Sequence, residues 1–127
     1  MTAPGASHAA YGQASRALGT PRSIEYQVFS RVTGRLRAAM APDAPFPDLA
    51  AALWENQRLW TALMGDLARA DNELPEALRG QLVSLGVFVL SHSRRVMTRE
   101  AAPQPLLEIN TAVMRGLRGE PAVAGAA

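Results

Sequence analysis

The run from Pro47 to Arg99, PDLAAALWENQRLWTALMGDLARADNELPEALRGQLVSLGVFVLSHSRRVMTR, decides the fold. Each helical residue turns about 100°, so apolar residues three and four apart share a face. In the first half of the run Leu49, Leu53, Trp60, Leu63 and Leu67 fall in one narrow stripe. In the second half Leu78, Leu82, Leu85, Val89 and Val96 do the same, spaced 4, 3, 4 and 7. That alternation suits nearly aligned helix packing, as in a bundle. Between the halves Asp71 and Asn72 break the pattern, and Leu74-Pro75-Glu76 opens a new helix with an acid in its first turn. The connector from Ala70 to Leu74 is short, which predicts an antiparallel hairpin. The two helices are expected from about Pro47 to Ala70 and from Pro75 to about Arg99, with Arg94, Arg95 and Arg99 suiting the negative C-terminal end.

On the N-terminal side, Pro42, Pro45 and Pro47 make a rigid, extended connector. Before it, Thr20-Pro21 is a helix start, threonine as N-cap and proline at the first helical position, and that helix should reach about Met40. A shorter helix is expected from about Ser7 to Leu18, stopping at Gly19. On the C-terminal side, Pro103 and Pro105 interrupt the chain. A last helix, with Leu106, Leu107, Val113, Met114 and Leu117 on its apolar side, runs to about Leu117. No stretch alternates with period 2, and no repeat is visible. The expected fold is all-α: a small bundle of four to five helices around a central antiparallel hairpin, in one domain over residues 1–127. Residues 1–6 and 119–127 are small and featureless and are expected to be flexible.

Composition narrows the function. A chain of 127 residues with 48% hydrophobic and 19% charged residues can build one real core. The absence of cysteine removes disulfides, thiol nucleophiles and thiolate metal sites. The two histidines, His8 and His92, are far apart, which leaves little for zinc. All thirteen basic residues are arginine, so the isoelectric point is about 9.9 although the net charge is only +2. A net charge of +2 is not the strong field of a nucleic-acid binder. No run approaches the roughly 20 apolar residues that span a bilayer. The N-terminus lacks the basic and apolar regions of a signal peptide, and the expected location is the cytoplasm.

Several residues do not fit a plain bundle. Val83, Val87, Leu90 and Met97 form a second apolar face on the hairpin's second helix, roughly 140° from the first. The ordinary explanation is a central helix packed between neighbours; the other is a face kept for a partner. Trp54 lies roughly 140° off its own stripe, four residues before Arg58, where a cation–π contact can form. Either the preceding helix covers it or it is an exposed anchor for a partner. Asn56, His92 and Asn110 are polar residues on apolar faces, where internal hydrogen bonds that fix register are the ordinary role. Around His92 the sequence Ser91-His92-Ser93-Arg94 matches no hydrolase motif, and no catalytic role is assigned. The helix before the hairpin carries Ile24, Val28, Val32, Leu36 and Met40 every fourth residue, a stripe that drifts around the axis. It also carries Arg22, Arg31, Arg35 and Arg37 against Glu25 alone, a basic face more often solvated than bound to RNA. Gly12, Gly19 and Gly34 form no phosphate loop, and Asp71, Glu73 and Glu76 read as turn and helix-start residues rather than a metal site.

From Tyr11 to Leu117 the chain resembles the alphaproteobacterial flagellar biosynthesis regulator FlaF family. The most specific residues are Asn56-Gln57-Arg58-Leu59-Trp60, Asp66-Leu67 and Asp71-Asn72-Glu73-Leu74-Pro75-Glu76-Ala77-Leu78-Arg79. They continue through Gln81-Leu82-Val83-Ser84-Leu85, Phe88-Val89 and His92 to Leu106-Leu107-Glu108-Ile109-Asn110, Val113-Met114 and Gly116-Leu117. Ala10-Tyr11-Gly12-Gln13 and Thr20-Pro21-Arg22 are similar to the family's N-terminal region. Gly65 and Gly86 stand where alanine is expected, and the helix before the hairpin is only loosely similar. The resemblance implies a non-enzymatic assembly factor, without cofactors, that acts on flagellin in functional opposition to the regulator FlbT. Two mechanisms follow: a flagellin-binding chaperone or secretion adaptor, or a post-transcriptional regulator working through FlbT or flagellin mRNA. Flagellin termini are amphipathic helices, and a helical protein can hold them helix against groove. The expected contact residues are Trp54, Arg58, Val83, Val87 and Leu90, with Trp60 in the core.

Overall fold

A computed structural model describes residues 26–117. It contains four helices, α1 (Tyr26–Ala39), α2 (Phe46–Leu67), α3 (Glu76–Met97) and α4 (Gln104–Leu117), and no strand among the described residues. The architecture is a small all-α bundle, the class that the apolar spacing predicts. The expected helix over Ser7–Leu18, the Thr20-Pro21 start and both expected flexible ends lie outside the described residues.

Prolines start both long helices. α2 follows Pro45, held extended at φ −67° and ψ 147°, and α3 follows Pro75 at φ −55° and ψ 145°. Neither start has a side-chain cap. A proline there sacrifices no intrahelical N–H bond and fixes the entry angle. Between the two helices, buried Asn72 shapes the connection. Its amide donates to the Asp66 carbonyl and its Oδ1 accepts from the Leu74 N–H, both at 3.0 Å. On the surface beside it, Arg69 grips both carboxylate oxygens of Asp71 at 3.0 Å. That hydrogen-bonded pair raises the Arg69 guanidinium above its usual pKa.

α3 ends at Met97, two residues before the expected Arg99, and a defined turn closes it. Arg99 sits in the left-handed region at φ 64°. Its N–H bonds Val96 O at 2.9 Å, and the Glu100 N–H bonds Arg95 O at 2.8 Å, the double closure that usually recruits glycine. Here the guanidinium of Arg99 lies 4.1 Å from the ring centre of Phe46, at the start of α2. The backbone turn therefore carries a cation–π contact that glycine could not make.

The core is built from Phe29 and Leu36 of α1, Leu53, Trp60 and Leu63 of α2, Val89 of α3 and Leu106 of α4, all fully buried. Phe29 meets Trp60 edge to face, with ring centres 5.8 Å apart. In α1 the buried set is Phe29, Val32, Thr33 and Leu36 rather than a stripe of every fourth residue. Steps of four alone drift about 40° per step, whereas mixed steps of three and four stay on one face. α2 and α3 approach closely at buried Gly86, where an added Cβ would collide with the Met64 side chain. A glycine in place of the expected alanine leaves room for that methionine.

Candidate interaction surfaces

Four polar side chains meet inside the bundle. The Trp60 Nε1–H donates to Asn110 Oδ1 at 2.9 Å. Asn110 Nδ2 donates to Asn56 Oδ1 at 2.7 Å and to Thr33 Oγ1 at 3.1 Å. An indole nitrogen can only donate, so the Asn110 atom facing it must be the carbonyl oxygen. Both amide hydrogens of Asn110 then go to Thr33 and Asn56. This orientation turns Asn56 Oδ1 inward and leaves its Nδ2 buried without an acceptor among the described residues. Such an orphan costs about 1–3 kcal/mol, which the network tolerates in exchange for locking α1, α2 and α4 in one register.

His92 does not join this group. Its Nε2 lies 2.8 Å from Ala102 O, and since a carbonyl only accepts, Nε2 carries the hydrogen. Its ring stacks on Phe88 with centres 5.0 Å apart. His92 thus fastens the α3–α4 connection to α3.

Trp54 is 56% exposed, and the Arg58 guanidinium sits 4.8 Å from its ring centre. The preceding helix does not cover it. Instead Trp54 edges an open cleft between α1 and α2, with Val28, Val32, Leu59 and Ala62 supplying apolar wall and Arg31, Arg35 and Arg58 supplying charge. Within the cleft Arg35 Nη1 pairs with Glu55 Oε2 at 2.7 Å, leaving Glu55 Oε1 buried without a partner among the described residues. The cleft is apolar in its wall and cationic at its rim.

The second apolar face of α3 is not sandwiched between helices. Val83 and Met97 are exposed, Val87 is 57% exposed, and Leu90 is half-buried. Neither cleft edged by Trp54 contains an α3 residue. On the wheel of α2, Ala62 in the α1 cleft and Met64 against Gly86 of α3 fall about 80° to either side of Trp54. Trp54 and Arg58 therefore share one surface, and Val83, Val87 and Leu90 occupy another.

A family model described as flagellar protein FlaF matches residues 7–117. The chain belongs to the FlaF family. No curated protein and no solved structure matches it. The FlaF match spans all four helices, the buried network and both apolar surfaces. No helix among the described residues is long and apolar enough to cross a membrane. Two structural partners in this FlaF chain escaped the sequence reading. Thr33 follows Phe29 by four residues on the buried face of α1, beside the every-fourth-residue stripe through Val28. The Phe46–Arg99 contact joins residues with no periodic relation, and no local signal marks it.

Proposed function

We propose that this FlaF-family chain is a flagellar assembly factor that binds flagellin directly, as a chaperone or secretion adaptor, and is not an enzyme. The observation that carries the reading is Trp54, more than half exposed beside an apolar cleft rimmed by arginines. A soluble bundle gains nothing by leaving its largest side chain in water, whereas interface hot spots are rich in tryptophan and arginine. An amphipathic helix from a flagellin terminus fits such a cleft: apolar residues against Val28, Val32 and Trp54, and acidic residues against Arg31 and Arg58. Shielding those helices before export prevents their apolar faces from associating with one another.

The test is light scattering on a sizing column, with this protein alone and mixed with monomeric flagellin, at low and high salt. The expected result is a complex that persists at high salt, because apolar contacts are not screened. Trp54→Ala should weaken that complex by about 2 kcal/mol, roughly thirtyfold, with folding intact. An unchanged affinity would remove the cleft from the mechanism. No complex at either salt would remove direct flagellin binding and turn attention to FlbT or flagellin mRNA. RNA binding through the arginines of α1 would instead fall steeply with salt.

A further inference from the structure

We infer that the outer face of α3 pairs with the same face of a second copy, antiparallel, about a two-fold axis that lies between the helices, level with Leu85. Glu76, Gly80, Val83, Val87, Leu90 and Arg94 lie within an arc of about 80° on this helix. A two-fold interface requires that when one residue meets another, the reverse contact also forms. This stripe meets that condition three times. Val83 and Val87 are equidistant from Leu85, and so are Gly80 and Leu90, and so are Glu76 and Arg94. Reversed on itself, the stripe sets valine against valine, leucine over glycine, and acid against base at both ends. Placed parallel in register, it sets Glu76 on Glu76 and Arg94 on Arg94.

The exposed chemistry agrees with this pairing. Val83 and Val87 are exposed on the middle of the stripe. A Cβ built on Gly80 would meet nothing within 4 Å, so the backbone there is bare and can take Leu90 of the second copy. Glu76 and Arg94 are exposed, and the ion pairs among the described residues join other partners, Arg35 to Glu55 and Arg69 to Asp71. The apolar part of the stripe is only three side chains on each copy, Val83, Val87 and Leu90, so the dimer exchanges with monomer and depends on concentration. The stripe shares no residue with the Trp54 cleft, and the inference does not rest on flagellin binding.

Sedimentation equilibrium of the full chain at low salt, over a wide range of protein concentration, tests the pairing. The expected result is a reversible monomer–dimer equilibrium that weakens as salt screens the terminal pairs. Val87→Asp should be monomeric throughout, with its helical circular dichroism and thermal midpoint unchanged. Glu76→Arg and Arg94→Glu should each weaken the dimer roughly tenfold, since each creates two like-charge contacts. Mixing these two variants in equal amounts should restore association. The mixed dimer has native residues paired at one end and the two substituted residues, again of opposite charge, paired at the other. A wild-type chain that stays monomeric at every concentration overturns the inference. So does a Val87→Asp dimer as tight as wild type, or a mixture that associates no better than either charge variant alone.

Discussion

Trp54 and Trp60 stand six residues apart on one helix, and the bundle uses them in opposite ways. Trp60 is fully buried, edge-on to Phe29, with its indole N–H bonded to Asn110. Trp54 is 56% exposed and has the Arg58 guanidinium laid over its ring. Six helical steps amount to about 600°, which leaves the two rings roughly 120° apart around the axis. One side of α2 therefore faces the core and the other faces solvent. The comparison also shows why burial, rather than residue type, assigns the role of an aromatic side chain.

The sharpest way to break this comparison is to truncate each ring in turn. Trp60→Ala should cost about 3–5 kcal/mol, from lost apolar contact and an unfilled cavity. Urea unfolding monitored by circular dichroism would read it, and a loss near zero would mean that α1 and α4 do not close over this ring. Asn110→Leu comes next, at about 2–4 kcal/mol, because it leaves the Trp60 N–H and its other partners unpaired in a dry interior. Asn56→Leu should cost less than Asn110→Leu in the same assay, since it also removes the orphaned Asn56 amide. Trp54→Ala should move stability by less than about 0.5 kcal/mol, as surface substitutions usually do. If it unfolds the protein, the ring is core and the proposed cleft is not a binding surface.

A further pair of variants separates backbone from side chain at the end of α3. Arg99→Gly relieves the left-handed conformation but loses the contact with Phe46, so the two terms nearly cancel, within about 0.5 kcal/mol. Arg99→Ala keeps the strain and loses the contact, and should be less stable than Arg99→Gly by about 1 kcal/mol. Equal stabilities for the two variants would show that φ 64° at Arg99 is not a cost to this helix end.

Much of this organisation can be read directly from the chain. The stripes of α2 and α3, the proline starts and the all-α class follow from spacing, because three-four periodicity and missing N–H groups act locally. The burial of Trp60 follows from its place in the stripe with Leu53 and Leu63. Exposure of Trp54 does not follow from spacing alone, since its off-stripe position suits either a covering helix or open solvent. Deciding between these required the position of α1, whose buried face is Phe29, Val32, Thr33 and Leu36 rather than the Val28 series. The partners of Asn110 were equally hidden, because Thr33 and Asn56 are distant in sequence and only tertiary packing brings the three together. Spacing likewise places Val83, Val87 and Leu90 on one face of α3 but gives no hint that this face and the Trp54 cleft lie apart.

The hydrogen bond between Asn110 and Thr33 spans 77 residues of sequence. Trp60 and Asn56 wait on the same asparagine. During synthesis, then, α1 and α2 leave the ribosome with their shared polar centre incomplete. Until α4 is present the indole N–H lacks its acceptor. Packing of the polar centre is therefore completed only by α4.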